Sequence, residues 1–171
     1  LTYSTCTDGA GSGGTENYTC SSVSGTTYYV YVAYYTTGAT TGTFTISNTC
    51  AAPPANDDCT GAYTVTVNAG TTCTSQTGGT LNAATASAQT TTCNATYDDD
   101  DVWYSFVATG TTHSISINNV AGNNTDLYHS VYSGSCGSIS APIVCEDNNS
   151  SLLTNLTAGT TYFVRIYTYG T

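Results

Sequence analysis

One sequence pattern occurs twice in the chain, once near each end, and it is the pattern of a β-strand. Residues 25–35 read GTTYYVYVAYY and residues 159–169 read GTTYFVRIYTY, both rich in aromatic and β-branched residues. The first copy is followed by residues 42–50, GTFTISNTC, in which Phe44 and Ile46 indicate another strand, whereas the second copy is followed only by Gly170 and Thr171. The phase of the repeat predicts two β-modules, the second without its last strand.

A proline-containing segment separates the two predicted modules. Residues 51–58 read as a linker, because Pro53 and Pro54 cannot serve a central ladder. We expect residues 1–52 to be a partial β-module, the tail of a preceding repeat with residues 42–50 as a strand donor. Residues 53–171 are expected to be a β-sandwich module that lacks its last strand.

Short alternating segments in the second module predict its strands. They lie at residues 62–68, 101–108, 113–120, 127–133, 143–144 and 162–169, and Gly, Asn and Ser residues punctuate them. On the strongest candidate, 101–108, Val102, Tyr104 and Phe106 share one face. No apolar period of a helix extends over a useful length. The predicted fold class is all-β, an antiparallel β-sandwich of the jelly-roll or Ig-like type.

The charge of the chain excludes several partners. Arg165 is the only Lys or Arg against 11 acidic residues, and the net charge is −10. Nucleic acid and anionic membrane surfaces both require a cationic surface on the protein. No apolar run approaches the roughly 18 residues of a membrane span. The chain begins with Leu1 instead of Met, so we expect a mature or excised piece, which is compatible with the removal of a leader.

The eight cysteines predict disulfides and an oxidising compartment, hence an extracellular or cell-surface location. No Cys-x-x-Cys pair or Cys/His metal spacing is present. Pairing of sequence neighbours gives Cys136–Cys145 first, and then Cys73–Cys93, Cys50–Cys59 and Cys6–Cys20. Asn-x-Ser/Thr sequons predict a glycoprotein, although the abundance of Asn and Thr also generates them by chance. These sequons begin at Asn17, Asn94, Asn123, Asn148, Asn149 and Asn155.

Five motifs in a fixed order carry a resemblance to a known family. They read NDDC at 56–59, DVWYSF at 101–106, TDLY at 125–128, VYSGSCG at 131–137 and LTAGTTYFVRI at 156–166. This series resembles the jelly-roll modules related to bacterial pre-peptidase C-terminal domains, which recur in secreted and surface proteins of Bacteroidota-type bacteria. The resemblance covers most of residues 53–171 and implies a jelly-roll fold. The departure is the terminal strand after Gly170, which in the family would look like residues 42–50.

Acidic residues suggest a calcium site. Carboxylates are the hard oxygen ligands that Ca²⁺ prefers, and related modules sometimes bind this ion. The alternative is a solvated acidic loop, since the spacing is not that of an EF-hand. The candidate ligands are Asp98, Asp99, Asp100, Asp101, Asp126 and Asp147. Neighbouring acids in one loop do not supply the separated carboxylate pair that a glycosidase needs.

No residue pattern indicates catalysis. His113 and His129 are the only histidines, and no Gly-x-Ser-x-Gly elbow accompanies them. We expect both to be structural. The expected role of Arg165 is to pair with a carboxylate across the sheet or to stack on a tyrosine. We therefore predict that the protein is not an enzyme.

These observations favour a structural role. We predict a subunit or repeat module of an extracellular, pilus-like filament or surface fibre, assembled head-to-tail with copies of itself by β-strand complementation. Residues 42–50 of one copy would complete the sheet that ends at Tyr169 in the next, with Phe44, Ile46, Tyr167 and Tyr169 at the interface. In a tandem array the same strand would be supplied covalently. The alternative is an adhesin or carbohydrate-binding accessory module of a larger secreted protein, in which tyrosine stripes stack on glycans.

Overall fold

The computed structural model divides the chain into two compact units, residues 1–48 and 49–171. It describes residues 7–11, 13–18, 20, 26–34, 38, 42–70, 72–89, 93 and 100–169. Among these residues no helix is long and apolar enough to cross a membrane. The division falls between Asn48 and Thr49, just before the predicted linker.

The described part of the first unit contains no strand and no buried side chain. Tyr29 is 79% exposed and Tyr31 is 85% exposed, while Phe44 and Ile46 are 70% and 62% exposed. The predicted strands at 28–35 and 42–50 are therefore not formed over the residues described, which exclude Tyr35. A strand is held by the main-chain hydrogen bonds of a neighbouring strand, and neither segment belongs to a sheet among the described residues.

The second unit contains nine strands among its described residues and no α-helix. They are β1 (Tyr63–Thr64), β2 (Val102–Val107), β3 (His113–Ser116), β4 (Leu127–Tyr132), β5 (Gly134–Ser135), β6 (Ser138–Ile139), β7 (Val144–Glu146), β8 (Ser150–Leu153) and β9 (Thr161–Thr168). A single 3-10 turn spans Cys59–Gly61. The all-β prediction is confirmed. Six of the strands correspond to predicted segments, and β8 and the β5–β6 hairpin do not.

The larger sheet has the order β1-β2-β9-β4-β7. β1 runs parallel to β2, and the other neighbours are antiparallel. β9 is central: Val164 lies opposite Tyr104 of β2 on one side and Val131 of β4 on the other. Both sides of β9 are already paired, so a donor strand cannot pair with β9 itself, and completion of this sheet by residues 42–50 of another copy stays a prediction. Order along the chain does not give order in a sheet.

The main core lies between this sheet and the smaller antiparallel sheet of β3 and β8. Val102, Tyr104 and Phe106 of β2 face it, as their alternation predicts, and pack with Val164 of β9 and Leu153 of β8. Full burial of one such side chain contributes about 1.5–3 kcal/mol. This cluster therefore holds the two sheets together.

A second, smaller cluster covers the opposite face of the larger sheet. Trp103 and Tyr132 are fully buried there, with ring centroids 5.7 Å apart, and Cys59 packs with them. Both faces of the larger sheet are thus covered near its centre.

Two disulfides link distant segments, Cys59–Cys136 and Cys93–Cys145, with sequence separations of 77 and 52 residues. The predicted pairs Cys136–Cys145, Cys73–Cys93 and Cys50–Cys59 were wrong. Cys20, Cys50 and Cys73 are free and exposed, and Cys6 lies outside the described residues. Neighbour pairing failed because the sheet brings together cysteines that are far apart in sequence.

Candidate functional site

Arg165, the only side-chain cation outside histidine, is buried in the middle of β9. Its Nε donates to Asp101 Oδ2 at 2.9 Å, and both side chains are almost fully inaccessible. Its guanidinium carbon lies 5.5 Å from the ring centroids of Trp103 and of Tyr167. Arg165 therefore has both of the structural roles that were predicted as alternatives, pairing with a carboxylate and stacking on a tyrosine.

Asp101 has both carboxylate oxygens occupied by protein donors. Oδ1 accepts the N–H of Ser87 at 2.8 Å, and Oδ2 accepts Arg165 and the Ser87 hydroxyl. Trp103 Nε1 in turn donates to Ser87 Oγ at 2.7 Å. The prediction of Asp101 as a calcium ligand was wrong, because this carboxylate neutralises the buried Arg165.

The segment that begins at Asn56 is bonded to β2. Asn56 Nδ2 donates to the Trp103 carbonyl at 2.9 Å, and the Trp103 N–H donates to the Asn56 carbonyl at 2.8 Å. Asp57 accepts the N–H and hydroxyl of Thr85 at 2.7 and 2.6 Å. Residues 56–58, predicted as part of a linker, therefore belong to the sandwich, and this motif is structural.

A tyrosine stack lies at the end of the larger sheet where β4 begins and β9 ends. The Tyr128 ring stacks on Tyr167 at a centroid distance of 5.3 Å and on Tyr169 at 6.0 Å. Tyr167 is fully buried, Tyr128 is half-buried and Tyr169 is 40% exposed. The prediction of Tyr167 as an interface residue was wrong, because this side chain is covered. Tyr169 presents the accessible ring.

Two carboxylates act electrostatically on Tyr128 of this stack. Burial raises the pKa of the Tyr128 phenol, and the negative charges of Asp147 and then Glu146 raise this pKa further. Glu146 ends β7 beside β4, where it pairs in register with His129. We call Tyr128, Tyr169, Glu146 and Asp147 the tyrosine–acid surface. It combines aromatic ring with hydrogen-bond acceptors.

Three of the predicted calcium ligands lie near this end of the sheet. Asp100 accepts the Thr168 N–H at 3.2 Å, and the Asp126 carbonyl accepts the Tyr169 N–H at 2.8 Å. Asp147 is the third. Among the residues described, no group of three or more His, Cys, Asp or Glu could hold a metal ion. Asp98 and Asp99 lie outside that set, so calcium binding stays a prediction, which calcium titration calorimetry would test.

Both histidines have structural contacts. His129 Nε2 lies 2.8 Å from Ser151 Oγ, and His129 is fully buried in the core. Burial lowers the pKa of His129, while nearby Glu146 raises it. Within the part of the chain that the structure describes, no carboxylate is hydrogen-bonded to the His129 ring, as the orienting acid of a catalytic serine–histidine pair would be. His113 Nε2 accepts the N–H groups of Thr109 and Gly110 at 3.1 and 3.3 Å.

The described sequon asparagines are accessible. Asn17, Asn123, Asn148, Asn149 and Asn155 are all exposed, and Asn94 lies outside the described residues. Accessibility permits attachment of a glycan, and glycosylation itself stays a prediction.

Sequence reasoning missed Tyr128 as a site residue. The signal was present, because the alternation of 127–133 places Tyr128 on the face opposite Leu127 and Val131. Its neighbour across the sheet could not be named without the pairing of Tyr128 with Tyr167.

Comparison with known proteins gives one match. Residues 55–170 match a protein family described as galactose binding domain-like and associated with the type IX secretion system. The match spans almost the whole second unit and is consistent with a surface protein of Bacteroidota; a relationship to pre-peptidase C-terminal domains is not shown. No curated protein and no solved structure matches the chain.

Proposed function

The chain belongs to the galactose-binding-domain-like family associated with the type IX secretion system, and from this we propose that it is a glycan-binding accessory module of a secreted protein. Domains of this kind are β-sandwiches and are typically binding modules without catalytic activity. The family and the two disulfides support an extracellular location.

The observation that carries the proposal is the accessible ring of Tyr169, which stacks on Tyr128, a residue on which two carboxylates act. A tyrosine ring is an apolar platform with a polar edge, so it can pack against the C–H face of a sugar. The carboxylates of Glu146 and Asp147 act on the adjacent Tyr128 and can accept hydrogen bonds from sugar hydroxyls. Stacking would supply the contact area, and the acids would orient the sugar.

The charge of the surface selects among glycans. The chain has a net charge of −10, and its single arginine is buried against Asp101. An anionic sugar would meet two carboxylates and no exposed Lys or Arg side chain, so it would be repelled. The proposed ligands are therefore neutral glycans with free hydroxyls.

A glycan array probed with the full chain tests this proposal. Neutral glycans are expected to bind, and Tyr169→Ala is expected to weaken binding by roughly tenfold, about 1.4 kcal/mol, the value of a good aromatic contact. Tyr63→Ala is the matched control, since Tyr63 is 39% exposed and Tyr169 is 40% exposed. Tyr63 lies on β1, whereas Glu146 of the tyrosine–acid surface lies on β7, at the opposite edge of the sheet. Equal losses in the two variants, stronger binding of sialylated or sulfated glycans, or no neutral ligand would contradict the proposal.

A second candidate function is assembly of copies into an extracellular fibre or tandem array. The observation that favours it is the exposure of apolar side chains in the first unit, where Tyr29, Val30, Tyr31 and Phe44 are each at least 70% exposed. Contiguous exposed apolar residues are typical of interaction surfaces. Sedimentation of the full chain over a range of concentrations would test it, and a monomer at every concentration would count against it.

A further inference from the structure

We propose that the free edge of β3 accepts a β-strand from another copy of this chain, and that residues 42–50 are the donor. The inference rests on the second candidate function, the association of copies, and names the two segments that meet. The proposed acceptor edge, on β3, belongs to the smaller sheet and not to the sheet that contains β9, because β9 is paired on both sides.

The acceptor follows from the hydrogen bonding of the smaller sheet. Ile117 donates its N–H to the Asn149 carbonyl at 2.8 Å, in line with the pairing of His113 with Leu153 and of Ile115 with Ser151. In an antiparallel ladder alternate residues bond the same neighbour. The main-chain groups of Ser114 and Ser116 therefore point away from β8, and on that side they bond no described residue.

The side chains of β3 indicate the same edge. Ile115 packs against the main core but is only half-buried, and Ile117 is also half-buried. Ser114 and Ser116 alternate with them and are exposed. An added strand with one apolar face would satisfy the free main-chain groups and cover Ile115 and Ile117.

Residues 42–50 have the features of such a strand. Phe44 and Ile46 alternate with Thr43, Thr45 and Ser47, which is the pattern of a strand with one buried face. The segment makes no main-chain hydrogen bond to any described residue, and every one of its residues is exposed.

The internal repeat indicates that residues 42–50 are a strand of the same type of module that contains β3. Residues 25–35 repeat the sequence of 159–169, which contains β9, so residues 42–50 stand where the strand after β9 would stand in a module of this type. The smaller sheet has only two strands among the described residues. We therefore assign the donor to a second copy. The opposite edge, on β8, lies near β7, which contacts β8, and is the alternative that the experiment excludes.

Two variants of the full chain separate donor from acceptor. Phe44→Asp places a charge on the donor face, and Ser114→Pro removes an N–H and adds a ring at the acceptor edge. Each is expected to lower self-association by at least roughly tenfold, equivalent to about 1.4 kcal/mol, in sedimentation velocity. A one-to-one mixture is expected to form dimers and no larger species, because only one donor and one acceptor remain active.

Leu152→Pro is the matched control, since Leu152 lies opposite Ser114 and directs its N–H to the other edge of the same sheet. This variant is expected to associate like the unaltered chain. Thermal melts identify any variant that fails to fold. A synthetic peptide of residues 42–50 with Cys50→Ser, added to the unaltered chain, tests the donor without altering the protein and is expected to reduce self-association, while the same peptide with Phe44→Asp is not.

The outcomes are distinguishable. Association that survives both Phe44→Asp and Ser114→Pro overturns this inference while leaving self-assembly in place. Loss of association in Leu152→Pro alone moves the acceptor to β8 and also overturns it. A chain that is monomeric at all concentrations and does not bind the peptide refutes both this inference and the assembly on which it rests.

Discussion

Asp101→Asn is expected to destabilise the second unit by about 3–5 kcal/mol. The substitution keeps the shape of the side chain and an oxygen that can accept from Ser87, so its main effect is to remove one negative charge. Arg165, whose side chain is about 1% exposed, would then lose the charge of the carboxylate bonded to its Nε. Breaking a buried ion pair by removing one partner costs about this much, whereas an exposed pair is worth about 0.2–1 kcal/mol.

The loss would be a large fraction of the stability of a domain, which is typically about 5–15 kcal/mol. A second substitution, Arg165→Met, removes the buried cation, and the double variant is expected to recover at least half of the loss because neutral residues of similar volume replace ion pairs at little cost. Measuring the Arg165→Met single variant as well completes the double-mutant cycle, which gives the coupling free energy of the pair.

Urea unfolding followed by tryptophan fluorescence measures these differences. The chain contains one tryptophan, and this Trp103 donates its indole N–H to Ser87 in the same network. Asp126→Asn, at an exposed position, is the control and is expected to change stability by less than about 0.5 kcal/mol. A loss below about 1 kcal/mol for Asp101→Asn would refute the reasoning, because the pair would then behave as if solvent screened it.

Two further predictions concern the core and the disulfides. Burial lowers the pKa of His129 below the ordinary value of 6.5, so the unfolded chain binds a proton at this side chain before the folded chain does as the pH falls. The free energy of unfolding is therefore expected to decline from about pH 6.5 downward. An equally steep decline in the His129→Gln variant, measured by urea unfolding, would show that His129 is not the cause. Replacing Cys59 and Cys136 by Ala is expected to cost about 4–5 kcal/mol, because this disulfide closes a loop with a sequence separation of 77 residues. Replacing Cys93 and Cys145, with a separation of 52, is expected to cost slightly less in the same assay, and a clearly greater loss would show that loop length does not govern the effect.

Local pattern predicted much of the fold, because alternation depends only on neighbouring residues. The faces of β2 and β4 followed from the positions of Val102, Tyr104 and Phe106, and of Leu127, His129 and Val131. β8 was missed because Ser150–Leu153 has only two apolar residues, and one of them, Leu152, is 67% exposed.

Long-range pairing could not be predicted in the same way. Cys59 joins Cys136, and Asp101 meets Arg165, because strands far apart in sequence are neighbours in the sheet. The same reason explains why the place of β9 was not predicted, since β9 follows every other strand in sequence but lies third in the five-stranded order. Only part of the tyrosine–acid surface was predicted: Tyr169 was named from its repeat, whereas Tyr128 was missed because its pairing with Tyr167 is a long-range contact.

The burial of the single arginine has a consequence for proteolysis and detection. Trypsin-like proteases cleave after Lys or Arg, and Arg165 is the one such residue among the 171 in this sequence. The only susceptible bond lies inside β9, between two paired strands and beneath aromatic rings. The folded module therefore offers such enzymes no accessible site. Even after unfolding, such enzymes would leave residues 1–165 of this sequence uncut, so peptide mapping of this region requires a protease that cleaves at aromatic or acidic residues.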